Sequence, residues 1–163
     1  MQVPQPDRRI ARVIAAAHAL GLEIEPVTFA ETTRTAEDAA RAIGCDVAQI
    51  VKSLIFQSGG QPILFLVSGA NRLDLRRAAA AAAVPVLDKA DADLTKRTTG
   101  FSIGGVPPFG HATSLPVYID EDLMRFDVVW AAAGRPDSVF SVDPNVLQAR
   151  TEGRVIGLKA IPD

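Results

Sequence analysis

The sequence predicts an α/β chain of the α+β kind, a mixed and mostly antiparallel sheet with helices packed around it. Three observations lead there. Two apolar runs rich in branched residues, "QIVKSLIFQ" (49–57) and "QPILFLVS" (61–68), are separated only by "SGG", which reads as a β-hairpin. Strand-like segments outnumber helix-like ones, so the regular alternation of a doubly wound fold is missing. Several strands also follow one another through tight turns, which favours antiparallel neighbours.

The elements follow in order. Residues 8–20 place Ile10, Val13, Ile14, Ala17 and Leu20 on one helical face, and Gly21 offers a C-cap. Residues 23–29 read as extended, interrupted by Pro26. Thr35 opens a short helix, with Asp38 three residues on in the manner of a capping box, and Gly44 closes it. After the hairpin, residues 73–83 form a helix rich in alanine, the strongest helix former; Val84-Pro85 ends it, because a residue before proline is pushed out of the helical region. A second short helix covers 90–98, and 101–103 continue as a strand. "LPVYID" (115–120), "FDVVWAAAG" (126–134) and "SVFSV" (138–142) supply three more strands. Asp143-Pro144 starts a helix, aspartate as N-cap and proline at the first helical position. "RVIGL" (154–158) is the last strand.

At 163 residues the chain is expected to form one domain, 1–163, with length enough for a real core. It is 48% hydrophobic and 22% charged, ordinary for a soluble globular protein. No apolar run has the length of a membrane span, and the N-terminus lacks the basic start and apolar stretch of a signal peptide. Cys45 is the single cysteine, so no internal disulfide forms and a cytoplasmic location is the default expectation. The net charge of −2 argues against a chain that coats nucleic acid indiscriminately. Basic residues do concentrate in "NRLDLRR" (71–77) and "KADADLTKR" (89–97). Cys45, His18 and His111 show no metal-ligand spacing, so no metal or other cofactor is expected.

Two features carry chemistry. Lys52 interrupts an apolar strand. Alternation puts Ile50, Lys52, Leu54 and Phe56 on one side and Val51, Ser53 and Ile55 on the other. An unpaired buried ammonium is costly, so Lys52 either reaches solvent at a strand edge or meets a phosphate or carbonyl oxygen. The second feature is "GFSIGGVPPFGH" (100–111). Gly104 and Gly105 free the backbone for close approach and offer N–H donors, while Pro107 and Pro108 stiffen the chain and donate nothing. Such a loop either makes a tight bend between strands or holds an ester oxygen in the manner of an oxyanion hole.

"IVKSLIF" (50–56), "SGANRLDLRRAA" (68–79), "TTGFSIGGVPPFGH" (98–111) and "AAAGRPDSVFSV" (131–142) together resemble the YbaK family, the prolyl-tRNA synthetase editing-domain superfamily. The order and spacing match over roughly residues 25–160. The resemblance implies a strongly curved mixed sheet and hydrolysis of mischarged aminoacyl-tRNA by a free-standing trans-editing factor. It makes Lys52 and the Gly104–Pro108 loop the catalytic centre, with Lys52, Gly104 and Gly105 at the chemistry. Val106, Pro107, Pro108, Ser53, Phe29, His111, Ala132 and Gly134 are expected around the substrate. Three positions depart from the cysteine-specific branch: Phe29 stands where a tyrosine is usual, Ala132 for a serine and Val139 for an aspartate. Lys52-Ser53 resembles that branch's Lys-Thr more than the Lys-Asn of alanine-specific editors.

The partner implied is the acceptor end of an aminoacyl-tRNA, with an aminoacyl-tRNA synthetase as a second candidate. Arg72, Arg76, Arg77, Lys96 and Arg97 are the cations expected to hold phosphates. Two other readings stay open at this level: a non-catalytic module that binds aminoacyl-tRNA or a synthetase, and a hydrolase of small aminoacyl esters.

Overall fold

Two sheets form the framework of the computed structural model, which describes residues 7–30 and 33–161. The N-terminal segment read for a signal peptide lies largely outside these residues. The smaller sheet has three strands in the order β1-β7-β6, and the larger has five in the order β4-β2-β3-β5-β8. In the larger sheet, β2 (Val51–Ser58) and β3 (Gln61–Ser68) are the predicted hairpin. They are flanked by β4 (Asp88–Lys89), β5 (Val117–Asp120) and β8 (Arg154–Ile156). The smaller sheet holds β1 (Val27–Thr28), β6 (Val129–Ala132) and β7 (Ser138–Val142). A parallel bridge between Ile50 and Trp130 joins the two sheets. Pairing is mixed: β2 is antiparallel to β3 and β4, β7 to β1 and β6, while β5 runs parallel to β3 and β8.

The alternation expected of β2 holds. Val51 and Ile55 enter the main core with Leu64, Leu66, Phe101, Val106 and Phe140, and α1 (Arg8–Ala19) adds Val13 and Ala17. Leu54 and Phe56 turn to the opposite face, against Phe65, Val67 and the buried Ala78 and Ala79 of α3 (Leu75–Ala81). Every helix starts on a side-chain oxygen that satisfies an otherwise unpaired backbone N–H. Asp7 opens α1, Thr35 opens α2 (Ala36–Ile43), Asp74 opens α3, Asp91 opens α4 (Ala92–Thr99) and Asp143 opens α5 (Pro144–Thr151). The capping box at α2 is formed with a shift: Asp38 N–H donates to Thr35, but the Asp38 carboxylate accepts from Arg34 N–H, one residue further back.

Four expectations change. Residues 101–103 are not a strand. The Phe101 N–H donates to the Thr99 hydroxyl at 3.0 Å and the Gly105 N–H to the Ser102 carbonyl at 3.0 Å, so these bonds close local turns instead of a ladder. The extended segment 23–29 contributes only the two residues of β1, with the Phe29 N–H continuing onto the Asp137 carbonyl. Gly21 follows the C-cap, which is Leu20. The framework is a divided sheet instead of one strongly curved sheet, and the division leaves a gap that becomes the site.

Candidate active site

The gap opens along one edge of β2. β4 covers that edge only at Phe56 and Gln57, and β6 reaches it only at the Ile50–Trp130 bridge. Between them, residues 51–54 border a cleft of about 350 Å³. Lys52 and Ser53 line it from the strand, Gly104 and Val106 from the loop, Trp130 and Ala132 from β6. Thr33, Thr35 and Arg34 close it from the start of α2, and Pro136 and Val139 from the β6–β7 turn and β7. An edge is what lets two consecutive residues of one strand, pointing to opposite faces, both reach the same cavity.

Lys52 is half-buried. Its Nζ donates to the Asn71 carbonyl at 2.5 Å. Burial pulls its pKa below the ordinary lysine value, and the carboxylates of Glu37 and Asp120 oppose that shift. Asn71 is itself fixed: its Nδ2 donates to Asp120 and Asp122, each at 2.8 Å. Asp120 is fully buried and also accepts from the N–H groups of Ser68 and Asp122. The ends of β3 and β5 and the turn that follows β5 therefore hold the carbonyl on which the ammonium rests. Ser53 differs: its Oγ is buried with no hydrogen-bond partner. A buried hydroxyl left unpaired costs about 1–3 kcal/mol, so a polar partner at this position would be stabilising.

The loop is built by close backbone contact. A Cβ on Gly105 would lie 2.8 Å from the Gly134 carbonyl, and one on Gly134 would lie 2.7 Å from the Arg9 carbonyl. Loop, β6–β7 turn and helix α1 thus stack without side chains between them, and only glycine fits at the two contacts. Asp7 strengthens the stack by pairing with Arg9 at 3.1 Å and Arg135 at 3.4 Å; the hydrogen bonds from Arg9 lower its pKa to about 2. Gly104, at φ +90°, turns the chain toward Pro136 and faces the cleft. The Gly105 N–H is committed to Ser102, whereas the N–H groups of Gly104 and Val106 donate to no backbone carbonyl among the described residues.

The sequence-derived candidates therefore divide. Lys52, Ser53, Gly104, Val106 and Ala132 border the cleft. Gly105, Pro107, Pro108 and Gly134 are buried behind it as its supporting wall. His111 also sits behind: its Nε2 donates to the Pro107 carbonyl at 2.7 Å, and burial lowers its pKa against the effect of that bond. Phe29 continues the edge of the smaller sheet and is not a lining residue. Among the cations, Arg72 and Arg76 border a second, open cleft of about 750 Å³ together with Asn71 and Lys159. Arg77 lies 4.0 Å from Asp74, Arg97 pairs with Asp93 at 2.7 Å, and Lys96 donates to the Gly100 carbonyl at 3.3 Å. No group of three or more His, Cys, Asp or Glu side chains capable of holding a metal occurs among the described residues. No helix among them is long and apolar enough to cross a membrane.

The sequence profile of the aminoacyl-tRNA editing domain matches residues 30–149, a span that includes β2, the glycine loop and the β6–β7 turn. The chain belongs to the aminoacyl-tRNA editing domain family. A crystal structure described as a proposed trans-editing enzyme for prolyl tRNA synthetase superposes with a TM-score of 0.92 at 44% identity, covering 96% of this chain and all of that one. An uncharacterised Bacillus subtilis protein, YwhH, is 32% identical over 126 residues, 77% of this chain and 80% of its own. EbsC of Enterococcus faecalis, named as a proposed Cys-tRNA(Pro)/Cys-tRNA(Cys) deacylase, is 24% identical over 127 residues, 77% of each chain.

Within this editing-domain framework, sequence reasoning missed the residues that enter from a distance. Thr33 donates to the Pro136 carbonyl at 2.8 Å and ties the entrance of α2 to the β6–β7 turn. Asn71 and Asp120, the support of Lys52, were not singled out. Their available signal was polarity at the ends of apolar strands, "VSGAN" and "VYID".

Proposed function

We propose that the chain is a trans-acting deacylase that hydrolyses the ester of a mischarged aminoacyl-tRNA, with the 3′ aminoacyl-adenosine seated in the cleft beside β2. The observation that carries this reading is the convergence on one mainly apolar cavity of a supported cation, two backbone N–H groups without backbone acceptors and an unpartnered hydroxyl. Water adds to the ester carbonyl, and the Gly104 and Val106 N–H groups stabilise the oxyanion that forms. The carbon–oxygen bond to the ribose then breaks, and its electron pair leaves on the ribose oxygen, which takes up a proton. Free amino acid and tRNA result.

Lys52 rests at the side of the cavity nearest Asn71, which suits the phosphate joining the terminal nucleotide to its neighbour. Among the described residues, none that lines the cavity carries a carboxylate, imidazole or thiol. With no base among these, the proton leaving the attacking water passes to the substrate's own groups or to solvent. Ala132 and Val139 leave the inner wall apolar, which fits an uncharged amino-acid side chain. Ser53 Oγ, buried and unpaired in the free protein, offers that wall a polar contact.

The lack of a base among the described lining residues also favours a second reading, a module that binds aminoacyl-tRNA without turnover. A deacylation panel separates the two. tRNA charged with alanine, serine, threonine, cysteine or a non-protein amino acid is incubated with the protein and with Lys52→Ala. Turnover of at least one substrate, lost in the variant, is the expected result. Saturable binding with no turnover of any substrate establishes the second reading.

A further inference from the structure

The second cleft adjoins the first through a single side chain. Lys52 lines the first, and its ammonium is bonded to the backbone of Asn71, which lines the second. We infer that this second cleft, between residues 70–76 and 159–161, holds the nucleotides that precede the terminal adenosine of the tRNA, with Arg72, Arg76 and Lys159 on their phosphates. The inference rests on the deacylase reading for its direction: the strand leaves the first cleft past Lys52.

Three features argue for it. The walls are rigid. The Asp74 N–H donates to the Leu158 carbonyl and the Ala160 N–H to the Arg72 carbonyl, each at 2.8 Å, and Leu73 pairs with Lys159. The charge is one-sided: among the described residues Arg72, Arg76 and Lys159 have no carboxylate within 4.0 Å. The one carboxylate lining the cleft among the described residues, Asp74, is occupied by the N–H groups of Arg76 and Arg77 at 3.0 and 3.1 Å. Apolar surface accompanies the charge, with Leu75 47% and Ile161 69% exposed beside the cations, suited to base faces between phosphates. In a chain of net charge −2 this is a local concentration and not a generally basic surface. Lys159 was not among the cations singled out in the sequence, and Arg77, Lys96 and Arg97 fall outside this cleft.

The test compares two substrates and two protein variants. Aminoacyl-tRNA carries the preceding nucleotides, and 2′(3′)-O-aminoacyl-adenosine lacks them. The triple variant Arg72→Gln, Arg76→Gln, Lys159→Gln is expected to raise KM for aminoacyl-tRNA at least about tenfold and to flatten the slope of log affinity against log salt by about 2, since each single-strand phosphate contact contributes roughly 0.7. Its kcat/KM on aminoacyl-adenosine should match the unmodified protein. The control Arg150→Gln, Arg154→Gln, at exposed cations that line neither cleft, should change neither. An unchanged KM and salt slope in the triple variant overturns the inference, as does an equal loss on both substrates, which signals a structural effect. If the unmodified protein turns over neither substrate, the deacylase reading fails, and affinity for uncharged tRNA becomes the readout. A salt-dependent loss in the triple variant then supports the second cleft as a nucleic-acid site, and an unchanged affinity overturns it.

Discussion

The two clefts that meet at Lys52 are built by opposite means. The first is a gap between two sheets, walled by backbone and mainly apolar side chains, with Lys52, Ser53 and the start of α2 supplying its polar groups. The second is an open trough whose walls are stitched by backbone hydrogen bonds and whose rim is cationic. The contrast matches two tasks that need different physics. Discrimination of an ester and its small side chain needs close packing and fixed donors, which a water-poor cavity strengthens. Holding a nucleic-acid strand needs charge that tolerates movement and is weakened by salt. In the proposed deacylase, one lysine on a supported carbonyl joins the two tasks at a single strand edge.

The strongest way to break the first cleft without touching the second is to fill its backbone contacts. Gly105→Val pushes a side chain into the Gly134 carbonyl, where even a Cβ lies at 2.8 Å. The loop must shift, and loss of correctly placed oxyanion donors lowers kcat by about 100–1,000-fold. Single-turnover kinetics should record this loss equally on aminoacyl-tRNA and aminoacyl-adenosine, whereas the second-cleft triple variant affects only the longer substrate.

The junction has its own signature in pH. Burial lowers the Lys52 pKa, so the folded chain releases this proton at lower pH than a free lysine does. If the charged form holds phosphate, kcat/KM on aminoacyl-tRNA falls as pH rises through that lowered value, after subtraction of spontaneous hydrolysis. Lys52→Arg should remove this alkaline limb, since guanidinium stays charged throughout. A limb that persists in the arginine variant assigns the titration to another group.

Ser53→Ala has the smallest expected effect. Its hydroxyl is buried and unpaired in the free protein, so its removal should raise unfolding free energy by up to about 1 kcal/mol in denaturant titration, since no hydrogen bond is lost and an unpaired group is removed. The same variant should bind substrate several-fold more weakly. Stability and affinity moving in opposite directions identify a polar group kept for its ligand; a loss of both would place the hydroxyl in the framework.

The fold was legible where local rules agree with the tertiary structure. Helix caps at Thr35 and Asp143, the hairpin and the strand 138–142 all follow from chain chemistry over a few residues. Lys52 was legible because a charge in an apolar strand breaks the pattern, and Gly104–Pro108 because glycine and proline change backbone rules. Residues 101–103 misled because their composition suits a strand while Thr99 and Ser102 capture the backbone groups locally. Gly105 was legible as a glycine but not in its purpose, since its closeness to Gly134 depends on another turn. The support of Lys52 was hidden because Asn71 and Asp120 lie 49 residues apart and meet only through the parallel pairing of β3 and β5. The second cleft was half visible: Arg72 and Arg76 stand in one basic run, and Lys159 joins them only once the tail pairs with Leu73.

The central claim is that ester hydrolysis occurs in the first cleft on a substrate whose terminal phosphate is held by Lys52. Single-turnover deacylation by the unmodified protein and by Lys52→Ala, on aminoacyl-tRNA and on aminoacyl-adenosine, tests it directly. A loss of at least about 30-fold in kcat/KM is expected on aminoacyl-tRNA, matching the roughly 2 kcal/mol or more lost when one partner of a buried charge contact is removed. Little change is expected on aminoacyl-adenosine, which lacks that phosphate. Unmodified rates on aminoacyl-tRNA with alanine at position 52 would contradict it.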